Sequence, residues 1–333
     1  MARRERGVDR RSVLGGAGVG GLVAMAGAAA EAKPGGSGGA SRLATPPEAI
    51  VDTTYGKVRG ALRDGIYVFK GVPYGKDTGG KARFLPPEPP AAWTAVRPAL
   101  AYGPCCPQVV RQGWQNPETA FVYDWDDGFA GEDCLRLNVW SPGVGKGSRP
   151  VMFWIHGGGY EAGSSQELPA YDGEQLARRG DVLVVSVNHR LGPFGFLDLS
   201  EAGGERYARS ANVGMLDLVL ALQWVKANAP AFGGDPGNVT IFGQSGGGAK
   251  VSHLMAMPSA KGLFHKAIVQ SGSLLEAGEP AVGRRLASEV LKALGIGAGE
   301  LDRLATVSAL DLVRAGEAAK RAMPRPPTGS PGC

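Results

Sequence analysis

The strongest constraint on what this chain can fold into is one short segment, Val239-Thr-Ile-Phe-Gly-Gln-Ser-Gly-Gly247. A run of strand formers passes there into G-x-S-x-G and then into a helix-forming stretch that ends near Met257. A chain places a serine between a buried strand and a helix only by turning sharply, and a sharp turn excludes bulk at its flanks. Gly243 and Gly247 meet that need, because side chains at either position would collide with neighbouring backbone and close off Ser245 Oγ. The helix that follows aims its free N–H groups and partial positive charge at the turn, which favours negative charge developing beside Ser245. Ser245 is therefore the candidate nucleophile.

A second strand end carries a matching element. The apolar run Val151–Ile155 passes into His156-Gly-Gly-Gly-Tyr160. Glycines there let backbone N–H groups approach a substrate oxygen closely. Two such donors, joined by the N–H of the residue after the serine, predict an oxyanion hole. A plain glycine-rich turn does not explain both motifs at successive strand ends. A phosphate-binding loop is excluded, because Lys250 falls one residue too late after Gly243 and Val251 stands where Ser or Thr is required.

The rest of the body reads as α/β. Ile50–Val58 and Tyr67–Val72 alternate around Gly and Asp turn residues and predict an N-terminal hairpin. Leu135–Trp140 is a further strand. Short, nearly continuous apolar runs at Val151–Ile155, Val182–Val187, Val239–Phe242 and Ala267–Val269 predict strands buried on both faces of a mostly parallel sheet. Helical patterns lie between and after them, the clearest at Val213–Ala227 with Pro230 just beyond.

The ends differ from the body. The chain of 333 residues has five more basic than acidic side chains. Much of that excess sits in Arg3, Arg4, Arg6, Arg10 and Arg11, so no nucleic-acid partner is expected. Arg10-Arg11 followed by the weakly apolar stretch Val13–Ala30 predicts a twin-arginine (Tat-type) signal over residues 1–32, with Ala28–Ala30 or Ala30–Ala32 as the cleavage site. Six of the eighteen residues from Val13 to Ala30 are glycine, too many for a stable membrane anchor. Gly16–Gly21 also spells G-x-G-x-x-G, but no strand precedes it, so dinucleotide binding is not expected. Residues 33–46 read as a flexible linker, 47–321 as the folded domain and 322–333 as a Pro/Gly-rich tail.

Export suits the cysteines. Cys105, Cys106, Cys134 and Cys333 form no C-x-x-C pair, which argues against zinc and dithiol redox chemistry, and no metal or other cofactor is expected. A bridge from Cys106 to Cys134 would close a loop of 29 residues, contributing about 3–4 kcal/mol on the chain-entropy view. Cys105 competes for the same partner.

Taken together, these segments resemble the type-B carboxylesterases, the family of the cholinesterases and bacterial para-nitrobenzyl esterases. The resemblance runs from about Ile50 to about Lys320 and rests on Phe69–Gly75, Arg83–Pro87, Glu132–Trp140, His156–Tyr160, Asn188–Leu197, Asn212–Asp217, Phe232–Asn238 and Gln270–Ser273. It implies an α/β-hydrolase fold with helices on both faces of the sheet. It also implies Ser245 as acyl nucleophile, the N–H groups of Gly158, Gly159 and Gly246 as oxyanion donors, a Cys106–Cys134 disulfide, and ion pairs Arg83–Glu132 and Arg190–Asp217. The implied substrate is a small-molecule carboxylic ester; the twin-arginine leader, for its part, predicts a periplasmic or secreted setting after Tat export. Gln244, Gly246 and His189 depart from the residues usual in the family.

A serine hydrolase also needs a base and an acid that orients it, which in this fold follow the nucleophile in the chain. Only His253 and His265 do so. His253 is carried two helical turns away from the serine, and His265 resembles a structural turn of the family. Glu276, Glu279, Glu289 and Glu300 are acids by type but match no family motif. The expectation is therefore an incomplete hydrolase domain lacking its last strands, with Ala267–Val269 as an open edge and weak activity. The alternative is a non-catalytic adhesion-type member of the same fold.

Overall fold

The computed structural model describes residues 43–109 and 128–324. The arginine-rich leader, Gly16–Gly21, the first part of the linker, the end of the tail and Cys333 lie outside the described residues. In chain order the strands are β1 (Leu43–Ala44), β2 (Ile50–Thr53), β3 (Gly56–Arg59), β4 (Ala61–Arg63), β5 (Ile66–Pro73) and β6 (Arg97–Pro98). They continue with β7 (Arg136–Ser141), β8 (Gly145–Ile155), β9 (Leu183–Val187), β10 (Phe232–Gln244) and β11 (Lys266–Gln270). Among the described residues eight of them form one sheet in the order β1-β4-β5-β7-β9-β8-β10-β11. The pairs β9–β8, β8–β10 and β10–β11 are parallel, and β1, β4, β5 and β7 extend the sheet by antiparallel pairing.

This is the α/β-hydrolase architecture, and the apolar runs account for it. Along β9, Leu183, Val185 and Val187 enter the main core, while Val184 turns to the opposite face. There it meets Trp140 of β7 and Ala177 of the helix Glu174–Gly180. Strands with both faces covered carry no polar side of their own. The helix Val213–Asn228 is apolar on nearly every side and buried along almost its whole length, as a helix pressed between the sheet and outer helices must be.

Two expectations need correction. The single N-terminal hairpin is two hairpins in two sheets: β2 pairs with β3, which pairs with β6, in a small three-stranded sheet, and β4 and β5 belong to the large one. Gly60 marks the switch, where a Cβ would lie 2.5 Å from the Val68 carbonyl and 2.6 Å from the Phe69 ring. Asp64-Gly65, with φ 48° and 84°, closes the second hairpin as a two-residue turn. The linker is shorter than residues 33–46, because Leu43–Ala44 already pair with β4. Cys106 and Cys134 are buried thiols in this structure, and Cys105 is buried beside them. The Cys134 thiol is hydrogen-bonded to Cys106, which together with burial holds its pKa well above the usual thiol range. Cys105 instead approaches the Phe129 carbonyl at 3.5 Å.

The two ion pairs stand as the resemblance implied. Arg190 grips Asp217 through Nη2 to Oδ1 at 2.7 Å and Nε to Oδ2 at 2.9 Å, both side chains essentially without solvent. Its Nη1 donates to the Leu85 carbonyl at 2.8 Å. Arg83 holds Glu132 at 2.5 and 2.6 Å and donates to the carbonyls of Leu304 and Val307, tying the C-terminal helical region to the N-terminal half. Among the described residues β11 has a neighbour on one side only, and Ile268 on it is 43% exposed. No described helix is long and apolar enough to cross a membrane.

Candidate active site

Strand register brings the two glycine motifs together. In the parallel pair β8–β10, Gly243 lies opposite Ile155. The strand that ends in the serine turn and the strand that ends in His156-Gly-Gly-Gly therefore stop side by side at the same edge of the sheet. In open α/β sheets that carboxyl edge is where ligands bind.

Ser245 occupies φ 54°, ψ −123°, backbone rarely adopted by a residue with a side chain. Strain of this kind costs about 1–3 kcal/mol and persists only where surroundings enforce it. Here they do: the Ser245 N–H donates to the Gln270 carbonyl on β11 at 2.8 Å, and its carbonyl accepts from Ala249 at 3.1 Å. The helix Gly246–Ala256 starts at the next residue, so the free N–H groups of its first turn face the serine.

Packing around the turn leaves no room for side chains. A Cβ on Gly247 would lie 2.1 Å from the Ile155 carbonyl oxygen, and one on Gly246 would lie 2.4 Å from the nitrogen of Gly159. Gly246 and Gly159 are thus in backbone contact, so the departure from the family's usual residue at 246 matches a loop that comes in close. Gly158 and Gly159 turn at φ 82° and 64°. Among the described residues neither donates its N–H to another backbone carbonyl. The loop is pinned from outside by Gln108, whose side chain accepts from the Gly163 N–H at 2.7 Å and donates to the Gly163 carbonyl at 3.0 Å. The structure therefore brings Ser245, Gly158, Gly159 and Gly246 into one site.

It does not bring a histidine to the serine. Each of the four has its Nδ1 engaged elsewhere: His156 on the Gly157 carbonyl at 2.9 Å, His189 on the Arg190 carbonyl at 2.9 Å, His253 with Tyr160 Oη at 3.0 Å, and His265 accepting from the Val239 N–H at 3.1 Å. His156 and His189 are stacked at 5.0 Å between ring centroids and are fully buried. Burial, followed by the nearby Lys250, pushes the pKa of His156 down to about 3 and that of His189 well below its ordinary value. Both rings are neutral imidazoles at any working pH. The candidate acids are occupied at the periphery. Glu300 caps a turn at the Gly297 N–H and pairs with Arg303, Glu289 lies near Lys292, and Glu276 and Glu279 are exposed.

Two groups beside the site escaped the sequence reading. Lys250, weighed there only as part of a phosphate loop, is entirely buried with its Nζ 3.5 Å from the His156 carbonyl. Desolvation lowers its pKa to about 7, offset in part by Glu167. The Tyr160–His253 pair joins the glycine loop to the helix behind the serine. The only signal for either was a polar residue in a stretch of small and apolar ones, which does not reveal a partner.

Comparison with known proteins places this geometry. A profile described as "Carboxylesterase family" matches residues 47–318. The para-nitrobenzyl esterase of Bacillus subtilis is 46% identical over 269 residues, covering 80% of this chain and 52% of that protein. The phenmedipham hydrolase of Pseudarthrobacter oxydans is 46% identical over 222 residues, covering 67% and 42%. Among solved structures, a thermophilic PNB esterase superposes with a TM-score of 0.76 at 45% identity, covering 83% of this chain and 55% of the other. An esterase from Clostridium hathewayi gives 0.76 at 44% identity, covering 87% and 59%. The chain thus spans about half the length of the curated relatives it matches.

Proposed function

Because the chain belongs to the carboxylesterase family, we propose that it carries the nucleophile and oxyanion hole of a carboxylic ester hydrolase that acts through a serine acyl-enzyme. The observation that carries this reading is the strained Ser245 packed against Gly157–Gly159 at the shared strand edge. In the proposed reaction Ser245 Oγ attacks the carbonyl carbon of a small ester, and the oxygen, now negative, is received by the N–H groups of Gly158, Gly159 and Gly246. Collapse expels the alcohol and leaves the acyl group on Ser245. Water then attacks that ester and releases the acid, restoring the serine.

Ser245 must also lose a proton, and the described residues place no histidine at its hydroxyl. The base and its orienting carboxylate are proposed to come from the part of the relatives' length that this chain does not span. The 333-residue chain is then a weak hydrolase: removing a triad histidine costs on the order of a millionfold in kcat, leaving roughly a thousandfold over water from binding and the hole. An adhesion role explains neither the strained serine nor the glycine contacts. The leader over residues 1–32 is proposed to direct Tat export. In that oxidising setting Cys106 and Cys134, already hydrogen-bonded, become the disulfide partners.

Incubation of the purified chain with a short-chain nitrophenyl ester, read by intact-protein mass, tests the reading. One acyl group should accumulate on wild type and not on Ser245→Ala. Because no histidine among the described residues assists the serine, acylation is slow and is followed over hours at mildly alkaline pH, and the same adduct formed at the same rate on both proteins would overturn the reading.

A further inference from the structure

Among the described residues three cations are buried: Arg83, Arg190 and Lys250. The two arginines are each held in a fork by a carboxylate, whereas Lys250 has no carboxylate within salt-bridge distance. Enclosing an ammonium whose acidic neighbour, Glu167, lies beyond ion-pair distance is unfavourable, so its place is not explained by stability. What Lys250 touches is specific. Its Nζ lies 3.5 Å from the carbonyl of His156 and 5.5 Å from the centre of the Tyr160 ring. Those residues stand immediately before and after Gly157-Gly158-Gly159. From the same helix, three residues after Lys250, His253 pairs with the Tyr160 hydroxyl at 3.0 Å. The helix that starts at the nucleophile thus grips the triglycine loop at both of its ends.

We propose that Lys250 is a positioning residue for the oxyanion hole, fixing the His156–Gly157 peptide from behind so that the Gly158 and Gly159 N–H groups face the oxygen of a substrate bound at Ser245. The assignment deepens the ester-hydrolase reading and rests on it for its catalytic meaning, while the grip on the loop does not. Three rotatable donors on a flexible stem suit a carbonyl at the edge of a turn. The groups facing the ammonium are His156 at the end of β8, His189 after β9, the Tyr160 ring, and, farther off, Glu167. Burial holds His156, His189 and, from the same helix as Lys250, His253 below the ordinary imidazole value, and desolvation has brought the pKa of Lys250 to about 7. The loop therefore reports the state of the lysine.

The test uses the full chain labelled with 15N-glycine, compared as wild type, Lys250→Met and Lys250→Gln, each checked for an unchanged fold by circular dichroism. The Gly157, Gly158 and Gly159 amide resonances should titrate together between about pH 6 and 8. They should shift and become flat with pH in Lys250→Met, with Gly65 and Gly262 as unaffected references. Loop amides that neither titrate nor move in Lys250→Met overturn the assignment. A second readout is the rate at which a fluorophosphonate labels Ser245. Lys250→Met should slow it about tenfold or more, and Lys250→Gln, which keeps a donor, should recover much of the loss. Equal rates in all three proteins also overturn it. A wild type that takes no label counts against Ser245 as an activated nucleophile, and the glycine resonances then decide the lysine by themselves.

Discussion

Replacing Gly247 by alanine isolates the contact on which the site is built. An alanine Cβ at 247 would sit 2.1 Å from the Ile155 oxygen, 2.8 Å from the His156 oxygen and 3.0 Å from the Ile155 carbonyl carbon. Two of the three belong to Ile155, whose backbone pairs with β9 and β10, and the third to the peptide that follows it, so no flexible side chain can move aside. The helix Gly246–Ala256 has to retreat by about 1 Å, a kind of overpacking that costs about 1–3 kcal/mol or more. Opposing this, alanine is a better helix former than glycine by about 0.5–1 kcal/mol. The net loss is about 2 kcal/mol, which for a domain of this size lowers Tm by about 3–4 °C. Because the retreat carries Ser245 away from Gly158 and Gly159, labelling by a fluorophosphonate should fall by about a hundredfold. Gly299→Ala, where a Cβ meets nothing within 4 Å, is the control and should change Tm by no more than about 2 °C. Differential scanning calorimetry and labelling kinetics read both effects. A Gly247→Ala protein that melts at or above wild type and labels at the same rate would refute the reasoning.

Asp217→Ala strands the Arg190 guanidinium in a site without solvent, and urea unfolding should show a loss of about 3–5 kcal/mol, or no folded protein. Oxidation of the reduced protein should join Cys106 to Cys134 and raise stability by about 3–4 kcal/mol. Peptide mapping should find that bridge in Cys105→Ser and not in Cys106→Ser. Lys250 has a folded pKa below its unfolded value, so its unfavourable contribution is fully present below about pH 7 and fades as pH rises. The advantage of Lys250→Met over wild type in unfolding free energy should shrink by up to about 1.4 kcal/mol per pH unit from pH 7.5 to 9.

The parts of this molecule that were legible in the sequence are those where one residue type has one physical use. G-x-S-x-G after a strand and H-G-G-G after another could be placed at strand ends because backbone approach demands glycine there, and the register of Gly243 on Ile155 followed. Continuous apolar runs marked the parallel strands for a similar reason. What the sequence did not show depends on distance across the fold. Gly60 does not announce that it divides two sheets, since its role comes from Phe69 packing on it. Lys250 and Tyr160 are 90 positions apart along the chain and meet only because β8 and β10 are neighbours. Adjacent Cys105 and Cys106 could not be told apart until the chain direction turned one toward Cys134 and the other toward Phe129.

The central claim is that Ser245 and the donors of Gly158, Gly159 and Gly246 form one preorganised site within this chain. A crystal structure of the protein after phosphonylation tests it most directly. The phosphorus should be bonded to Ser245 Oγ, with one phosphoryl oxygen about 2.7–3.1 Å from the nitrogens of Gly158, Gly159 and Gly246. An adduct on another residue, or a phosphoryl oxygen turned away from those three N–H groups, would contradict it.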